Sequence, residues 1–563
     1  MQPAPRLLFV ADVGGPATYH VGDEAMLLAN LDGFRERLTG LEATIVSRDP
    51  AWTARHTEAK SVLPFGFPEA GRASDDDRQS MLDRLLADAE QGRVCSEAMQ
   101  AIADCDGVVI SGGGNLSSTW PEHVFERVAF GALARRLGKP VVLLGQTIGP
   151  DVSPRIRPLV SDLLRNATFV GVRELPSAAL ARALGTPADR LFYQTDDAVF
   201  LNPVRVEEEW AAELTGGAPW IAITLDPFGQ GRAVEGVLAA LADQLARLAA
   251  FTGARLAFIP HVAGCDAGVG RALAARLPSA TPLFVCPDLD ARRAYWLTAQ
   301  ASLIVGTRYH PLVFGLAAAR PCVGLVTDEY RRTKLHGALA HADLSGCCLS
   351  MEQAVGGGLF EAASQQWARR EVIGQELVLT RERWRIAEQN RWHRVIAALG
   401  VEAVEGMPDA AAAALGRDPS ELVPLLLSEL ESRGAFAAEL SRFEAARYGE
   451  LERYAVSLEA ERGALHEATR ESERFAVSLL EEVDRLRATC DESERYAMSL
   501  REELERLRAS CAESECYAMS LREELERLRA SCAESECYAL SLLQELSKVQ
   551  TAYEAQLRRN PAA

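Results

Sequence analysis

Residues 306–337, GTRYHPLVFGLAAARPCVGLVTDEYRRTKLHG, decide the fold. The apolar run Ser302–Gly306 ends in a small residue, and Arg308 and His310 follow, two apart. A small-residue helix is expected over Leu312–Ala319. Pro321, a second apolar run (Cys322–Val326) and a cationic group of Arg331, Arg332 and Lys334 beside Tyr330 come next. Apolar run, helix, apolar run is the pattern of parallel strands joined by crossovers. It sets Arg308 and His310 at the carboxyl end of a strand and the start of a helix, where free N–H groups and the dipole favour anions.

The same alternation extends outward in both directions. Residues 1–200 offer strands at Leu7–Ala11, Ala43–Ser47, Gly107–Ser111, Val141–Gly145 and Phe169–Val172. After a linker at Thr215–Pro219 the pattern repeats at Trp220–Leu225, Arg255–Ile259, Leu283–Cys286, Ser302–Gly306 and Cys322–Val326. Apolar runs separated by helices predict parallel sheets covered on both faces. The expected class is therefore α/β, with two doubly wound domains, 1–205 and 218–400, and a cleft between them. A helical stretch at 364–400 closes the second and packs back on the body. Gly, Pro and an Ala tract then mark a spacer over 401–450.

The remainder is a repeat. SERFAVSLLEEVDRLRATCDE (472–492), SERYAMSLREELERLRASCAE (493–513) and SECYAMSLREELERLRASCAE (514–534) are near copies of a 21-residue unit. Three heptads fit that length, with Ala497, Leu500, Leu504, Leu507, Cys511 and Ser514 at a and d. The period predicts a left-handed coiled coil over 451–549, roughly 150 Å long at 1.5 Å per residue. It would make the chain a homo-oligomer. A single solvated amphipathic helix is the plainer alternative.

Composition narrows the function classes. With 48% hydrophobic and 25% charged residues, the 563-residue chain reads as several globular domains. It has no apolar run long enough for a transmembrane helix. MQPAPRLLFVADVGG is too short in apolar residues for a secretory signal and reads as a first strand, so a cytoplasmic location is expected. The cysteines show no metal-ligand spacing, and no metal or cofactor is expected. Of the net charge of −19, about −14 falls in 401–563. The acidity thus belongs to the tail, and its sign argues against nucleic acid.

Several strand ends carry candidate chemistry. The first turn, ADVGGPATYHVGDEA (11–25), has three glycines, and Asp23 and Glu24 follow. These acids suit the first turn of a helix, where carboxylates complement the dipole, as well as they suit a site. There is no GxGxxG, so a dinucleotide is not inferred. Gly112, Gly113, Gly114 and Asn115 form a glycine loop that lets backbone approach a ligand or simply turns tightly. Gln146 lies in a second loop, GQTIGP (145–150). Arg173 and Ser177 follow a strand in RELPS, where a capping turn is the alternative. His261 and Asp266 share another strand-end loop, and Asp196-Asp197 precede the domain junction.

GDEA (22–25), SGGGN (111–115), GQTIGP (145–150), RELPS (173–177), His261 and TRYH…ARP…Y…K…G (307–337) together resemble the polysaccharide pyruvyl transferase family. The resemblance covers about residues 5–345, with the motifs in order. It departs where the family's usual Asn before Gly-Asp-Glu is replaced, His20 standing two residues before Gly22, and where the family's Arg-Asp is Arg173-Glu174. The tail lies outside the pattern.

The resemblance implies two Rossmann-like domains in a GT-B-like arrangement. It also implies transfer of pyruvyl from phosphoenolpyruvate to a sugar or glycan acceptor, forming a ketal on a cell-surface polysaccharide or its precursor. The residues suit that chemistry. Arg308 and Lys334, with Arg173 and Ser177, are expected to hold the anionic donor. His310 is expected as general acid or base, with His261 and Asp23 handling hydroxyls. Gly112–Asn115, Gln146 and Glu24 are expected around the acceptor. Two alternatives share these features: a glycosyltransferase using a nucleotide sugar, and an inactive domain serving a coiled-coil scaffold.

Overall fold

Buried apolar runs build two parallel sheets. The computed structural model describes residues 4–227 and 232–402, with scattered positions between 485 and 551. Apart from those positions and residues 401–402, the expected spacer and heptad repeats lie outside the described residues. The chain divides into two units, 1–440 and 441–563, and both sheets belong to the first.

The first sheet contains β1 (Arg6–Val10), β2 (Glu42–Val46), β3 (Lys60–Val62), β4 (Gly107–Ile110), β5 (Gly113–Leu116), β6 (Val141–Ile148), β7 (Phe169–Val172) and β8 (Leu191–Tyr193). Its order is β3-β2-β1-β4-β6-β7-β8, with β5 paired to β6 off this path. The second contains β9 (Trp220–Thr224), β10 (Arg255–Phe258), β11 (Leu283–Val285), β12 (Leu303–Gly306), β13 (Cys322–Val326) and β14 (Cys348–Ser350), ordered β11-β10-β9-β12-β13-β14. Every strand pairing is parallel. The order reverses between β1 and β4 in one sheet and between β9 and β12 in the other. Crevices open at the carboxyl ends of strands at such switch points. The loops after β1, β4 and β12 are three of those marked in the sequence.

Two expectations need correction. Gly113–Leu116 is a strand, not a loop, because β6 continues through Gln146, Thr147 and Ile148 and offers it a ladder: Gly113 pairs with Gln146 and Leu116 with Ile148. The helix after Arg308 starts at Tyr309, so His310 lies within its first turn.

The two halves share apolar core. Val21, Ala25, Met26 and Ala29 of the helix Val21–Arg37 cluster with Tyr309, Leu312 and Val313 of the second half. The helix Arg370–Leu399 serves both. Ile373, Leu377 and Trp384 join the core around the second sheet, whereas Trp392, Val395, Ile396 and Leu399 join Phe9, Phe34 and Val142 of the first. The Trp392 ring meets Phe34 edge-on at 4.8 Å. Gly33 lets it sit so close, since a Cβ there would overlap the indole. Burying such an aromatic contributes a few kcal/mol.

Candidate functional site

The ends of β1, β4, β7 and β12 converge where the two halves meet. Gly22, at the start of the helix Val21–Arg37, is in contact with the imidazole of His310 from the other half, and a Cβ on Gly22 would overlap that ring. Gly114 is likewise pressed against Tyr330, whose hydroxyl donates to the Gly114 carbonyl at 2.9 Å. Backbone joins the halves as well. Val21 N–H donates to the His261 carbonyl at 3.0 Å, and Ala263 N–H to Tyr19 at 3.0 Å.

The cations differ in what they hold. Arg173 is fully buried and committed to Asp196 at 2.5 Å, Glu174 at 3.0 Å and the Thr147 hydroxyl at 2.9 Å. Its guanidinium also lies 4.5 Å from the Tyr309 ring centroid. Ser177 donates to Glu174 at 2.8 Å and accepts from Ile148 N–H at 3.0 Å. Arg308 is tied to Asp266, with Nε at 3.1 Å, while Asp266 also takes the N–H groups of His261 and Val262 at 3.0 and 3.1 Å. Arg331 is paired with Asp226 and Asp328. Lys334 instead lies over two rings, 5.2 Å from the Tyr309 centroid and 5.0 Å from that of Tyr330. Burial, with Arg173 next, brings its pKa down to about 8.

The imidazoles also fall into two kinds. His310 and His261 are buried. His310 Nε2 and both nitrogens of His261 have no hydrogen-bond partner among the described residues. Burial holds both well below the usual histidine range, helped by Arg173 and Lys334 at His310 and by Arg308 at His261. His20 caps the helix Val21–Arg37, its Nδ1 3.1 Å from a carboxylate oxygen of Asp23. His123 Nε2 is 3.4 Å from Asp12. Burial, then the neighbouring positive groups, outweighs Asp12 and sets His123 at about 4.

Burial raises Asp23 and lifts Glu24 to about 8, with Asp23 adding to the rise at Glu24. Neither oxygen of Glu24 has a partner among the described residues, and the same holds for Asn115 Nδ2 and Gln146 Oε1. Gln146 Nε2 braces the glycine segment through the Ser111 carbonyl at 2.7 Å. Orphaned buried polar atoms are costly and call for a ligand, a water or a chemical role. Five residues marked in the sequence carry them here: Glu24, Asn115, Gln146, His261 and His310.

Sequence reasoning gave no role to Asp12, His123, Trp120 or Tyr309. Asp12 directly follows the first turn's opening residue, a usable signal. His123 and Trp120 lie at the start of the helix Pro121–Arg136, with no pattern to single them out.

A family model described as polysaccharide pyruvyl transferase matches residues 20–329. No curated protein matches. Among solved structures, a protein described as a UDP-N-acetylglucosamine 2-epimerase of Listeria monocytogenes is similar at 14% identity and TM-score 0.46, over 69% of this chain and 97% of that one. UDP-GlcNAc 2-epimerase of Neisseria meningitidis, bound to UDP-GlcNAc, is similar at 12% identity and TM-score 0.42, over 66% of this chain and 94% of that one. Phytolacca americana UGT2, complexed with UDP-2-fluoro-glucose and pterostilbene, is similar at 9% identity and TM-score 0.42, over 69% and 95%. Among the described residues no helix is long and apolar enough to cross a membrane.

Proposed function

The chain belongs to the polysaccharide pyruvyl transferase family, and on that premise we propose that it moves a pyruvyl group from phosphoenolpyruvate to a sugar of a cell-surface polysaccharide or its precursor. The observation that carries this reading is the set of orphaned buried polar groups at strand ends of both sheets, with Lys334 beside His310. In this reading the halves take a GT-B-like arrangement and hold the donor between them.

Two sugar hydroxyls add to the central carbon of the donor, and the carbon–oxygen bond to phosphate breaks. The methylene carbon gains a proton and becomes a methyl group. Of the two hydroxyl protons, one is matched by that proton and the other leaves as part of hydrogen phosphate. Lys334 takes an anionic group of the donor, and Arg173 supplies fixed positive field from its ion-pair network. Arg308, oriented by Asp266, faces the same anion from the second half. Ser177 acts through Glu174, holding the network that positions Arg173.

His310 is uncharged because burial and two cations disfavour its protonation. A trianionic donor set among those cations offsets them and raises the imidazole. Donor binding thereby protonates His310, and the imidazolium delivers its proton to the methylene carbon. His261 adds a second buried imidazole at the same anion. Glu24, Gly112–Asn115 and Gln146 shape the acceptor side, with Asp23 on the hydroxyls. We place the reaction in the cytoplasm, where phosphoenolpyruvate is made. We assign the repeats of 451–549 to a parallel coiled coil joining copies of the chain.

Phosphate release from phosphoenolpyruvate across a panel of glycosides, with mass spectrometry of the product glycan, tests the reading. Acceptor-dependent phosphate and a pyruvylated glycan are expected. Release of a nucleoside diphosphate from a nucleotide sugar, without consumption of phosphoenolpyruvate, would overturn it.

A further inference from the structure

The chain has eight tryptophans, and Trp120 is the exposed one, 41% accessible. A lone apolar side chain on a surface is ordinary. Trp120 differs in its mounting and its neighbours. Its backbone is fixed as the N-cap of the helix Pro121–Arg136: its N–H donates to the Ser117 carbonyl at 3.1 Å, and its own carbonyl accepts from His123 and Val124 at 3.1 and 3.2 Å. Its side chain lies beside the hydroxyl of Tyr330, the residue that bridges to Gly114 and flanks Lys334. On its other side the His123 ring stands edge-on at 6.3 Å.

His123 leads to Asp12, and Asp12 lies within the electrostatic reach of His20. His20 is paired with Asp23, which in turn feels Lys334. These side chains reach solvent: His20 is 36% accessible, Asp23 15%, Asp12 18% and His123 15%. A rigid exposed indole thus borders a rim of two imidazole–carboxylate pairs that runs to the buried cations.

We propose that Trp120 is the floor of the acceptor subsite and that the pairs His123–Asp12 and His20–Asp23 receive the two hydroxyls of one sugar ring. The proposal rests on the pyruvyl-transfer reading and names where its acceptor sits. A pyranose presents an apolar face of C–H groups and an edge of hydroxyls. The flat apolar indole matches the face, and carboxylates and imidazoles accept from the edge. Nδ1 of His20 is taken up by Asp23, whose N–H and carboxylate both lie against it, which leaves Nε2 as the nitrogen that meets a hydroxyl. Asp12 faces Nε2 of His123, so Nδ1 is the free nitrogen there. His123 stays neutral and orients the second hydroxyl, whose proton departs with phosphate.

The test uses full-length protein and p-nitrophenyl glycosides of glucose, galactose, mannose and their N-acetylated forms. With phosphoenolpyruvate present, Trp120→Ala should raise the acceptor KM by about tenfold or more while the donor KM stays within twofold. Trp120→Phe should recover most of the loss. Without donor, a glycoside that quenches wild-type fluorescence should bind Trp120→Ala at least about tenfold more weakly. An unchanged acceptor KM, an equal rise in donor KM, or equal glycoside binding by wild type and variant would each overturn the subsite. So would a wild-type protein that binds none of the glycosides. Glycoside binding that depends on Trp120, in a protein that releases no phosphate from phosphoenolpyruvate, would uphold the subsite and sink the transfer reading.

Discussion

His310 and His261 are sealed around Phe314, at ring distances of 6.2 and 5.8 Å; His310 Nε2 has the Asp196 carboxylate only at 3.8 Å, and neither that nitrogen nor those of His261 has a hydrogen-bond partner among the described residues. His20 and His123 each face a carboxylate and reach the surface. One crevice can thereby both give and take protons. A buried imidazole beside cations stays neutral until an anion arrives, so its protonation is tied to donor binding. An imidazole with a carboxylate on one nitrogen has its tautomer set and its other nitrogen ready. The dry pair suits protonation of the donor, and the wet pair suits the acceptor.

The sharpest way to break this division is His310→Ala. Loss of a positioned acid should lower kcat by about 10²–10⁴-fold, with donor affinity little changed. Circular dichroism should show the fold intact. A variant within twofold of wild type would remove His310 from proton transfer and leave the dry pair without a task.

His20→Asn comes next in expected effect. Asn accepts the Asp23 N–H as well as the imidazole does, so the helix keeps its cap. It cannot take a proton. We expect kcat to fall by about 10²-fold, the lower end for a general base. An unchanged kcat would mean that His20 is a cap and nothing more.

Much of the frame was legible before the structure, and the reasons lie in particular residues. Phe169–Val172 and Cys322–Val326 are strands with the expected bounds, because a strand buried on both faces announces itself as an unbroken apolar run. Lys60–Val62, Leu191–Tyr193 and Cys348–Ser350 went unseen. Each is three residues at a sheet edge, too short for an apolar run to stand out from the loops beside it. Gly113–Leu116 was masked by its own glycines, and only its pairing with β6 makes it a strand. The strand-end residues Glu24, Asn115, His261 and His310 could be marked because topology alone brings switch-point loops together. Their partners could not. That Arg308 is bound to Asp266 and Arg173 to Asp196 depends on side-chain packing, which spacing does not encode.

Lys334 gives a smaller effect, and a signed one. Its pKa of about 8 leaves it charged below that pH and neutral above it. If its charge holds the donor, kcat/KM for phosphoenolpyruvate should fall as pH rises through about 8, roughly tenfold per unit. Lys334→Arg, which stays charged, should carry activity to higher pH even if the longer head lowers the plateau. An alkaline limb identical in both proteins would assign that titration to another group, Glu24 being the first to examine.

The smallest expected effect on chemistry comes from the tail. Every group assigned a role lies between Asp12 and Lys334, and among the described residues the last helix of the first unit ends at Leu399. A chain ending at residue 402 should therefore keep both imidazole pairs and turn over at wild-type rate. Its association should change. The heptads of 451–549 are apolar on a and d only to the benefit of a partner, and a parallel register would set Cys490, Cys511 and Cys532 against their counterparts. Full-length protein should sediment as a homo-oligomer and cross-link at those cysteines under mild oxidation, while the shortened chain sediments as a monomer. A monomeric full-length protein would sink the homo-oligomer. A shortened chain without activity would mean that the tail contributes to the enzyme.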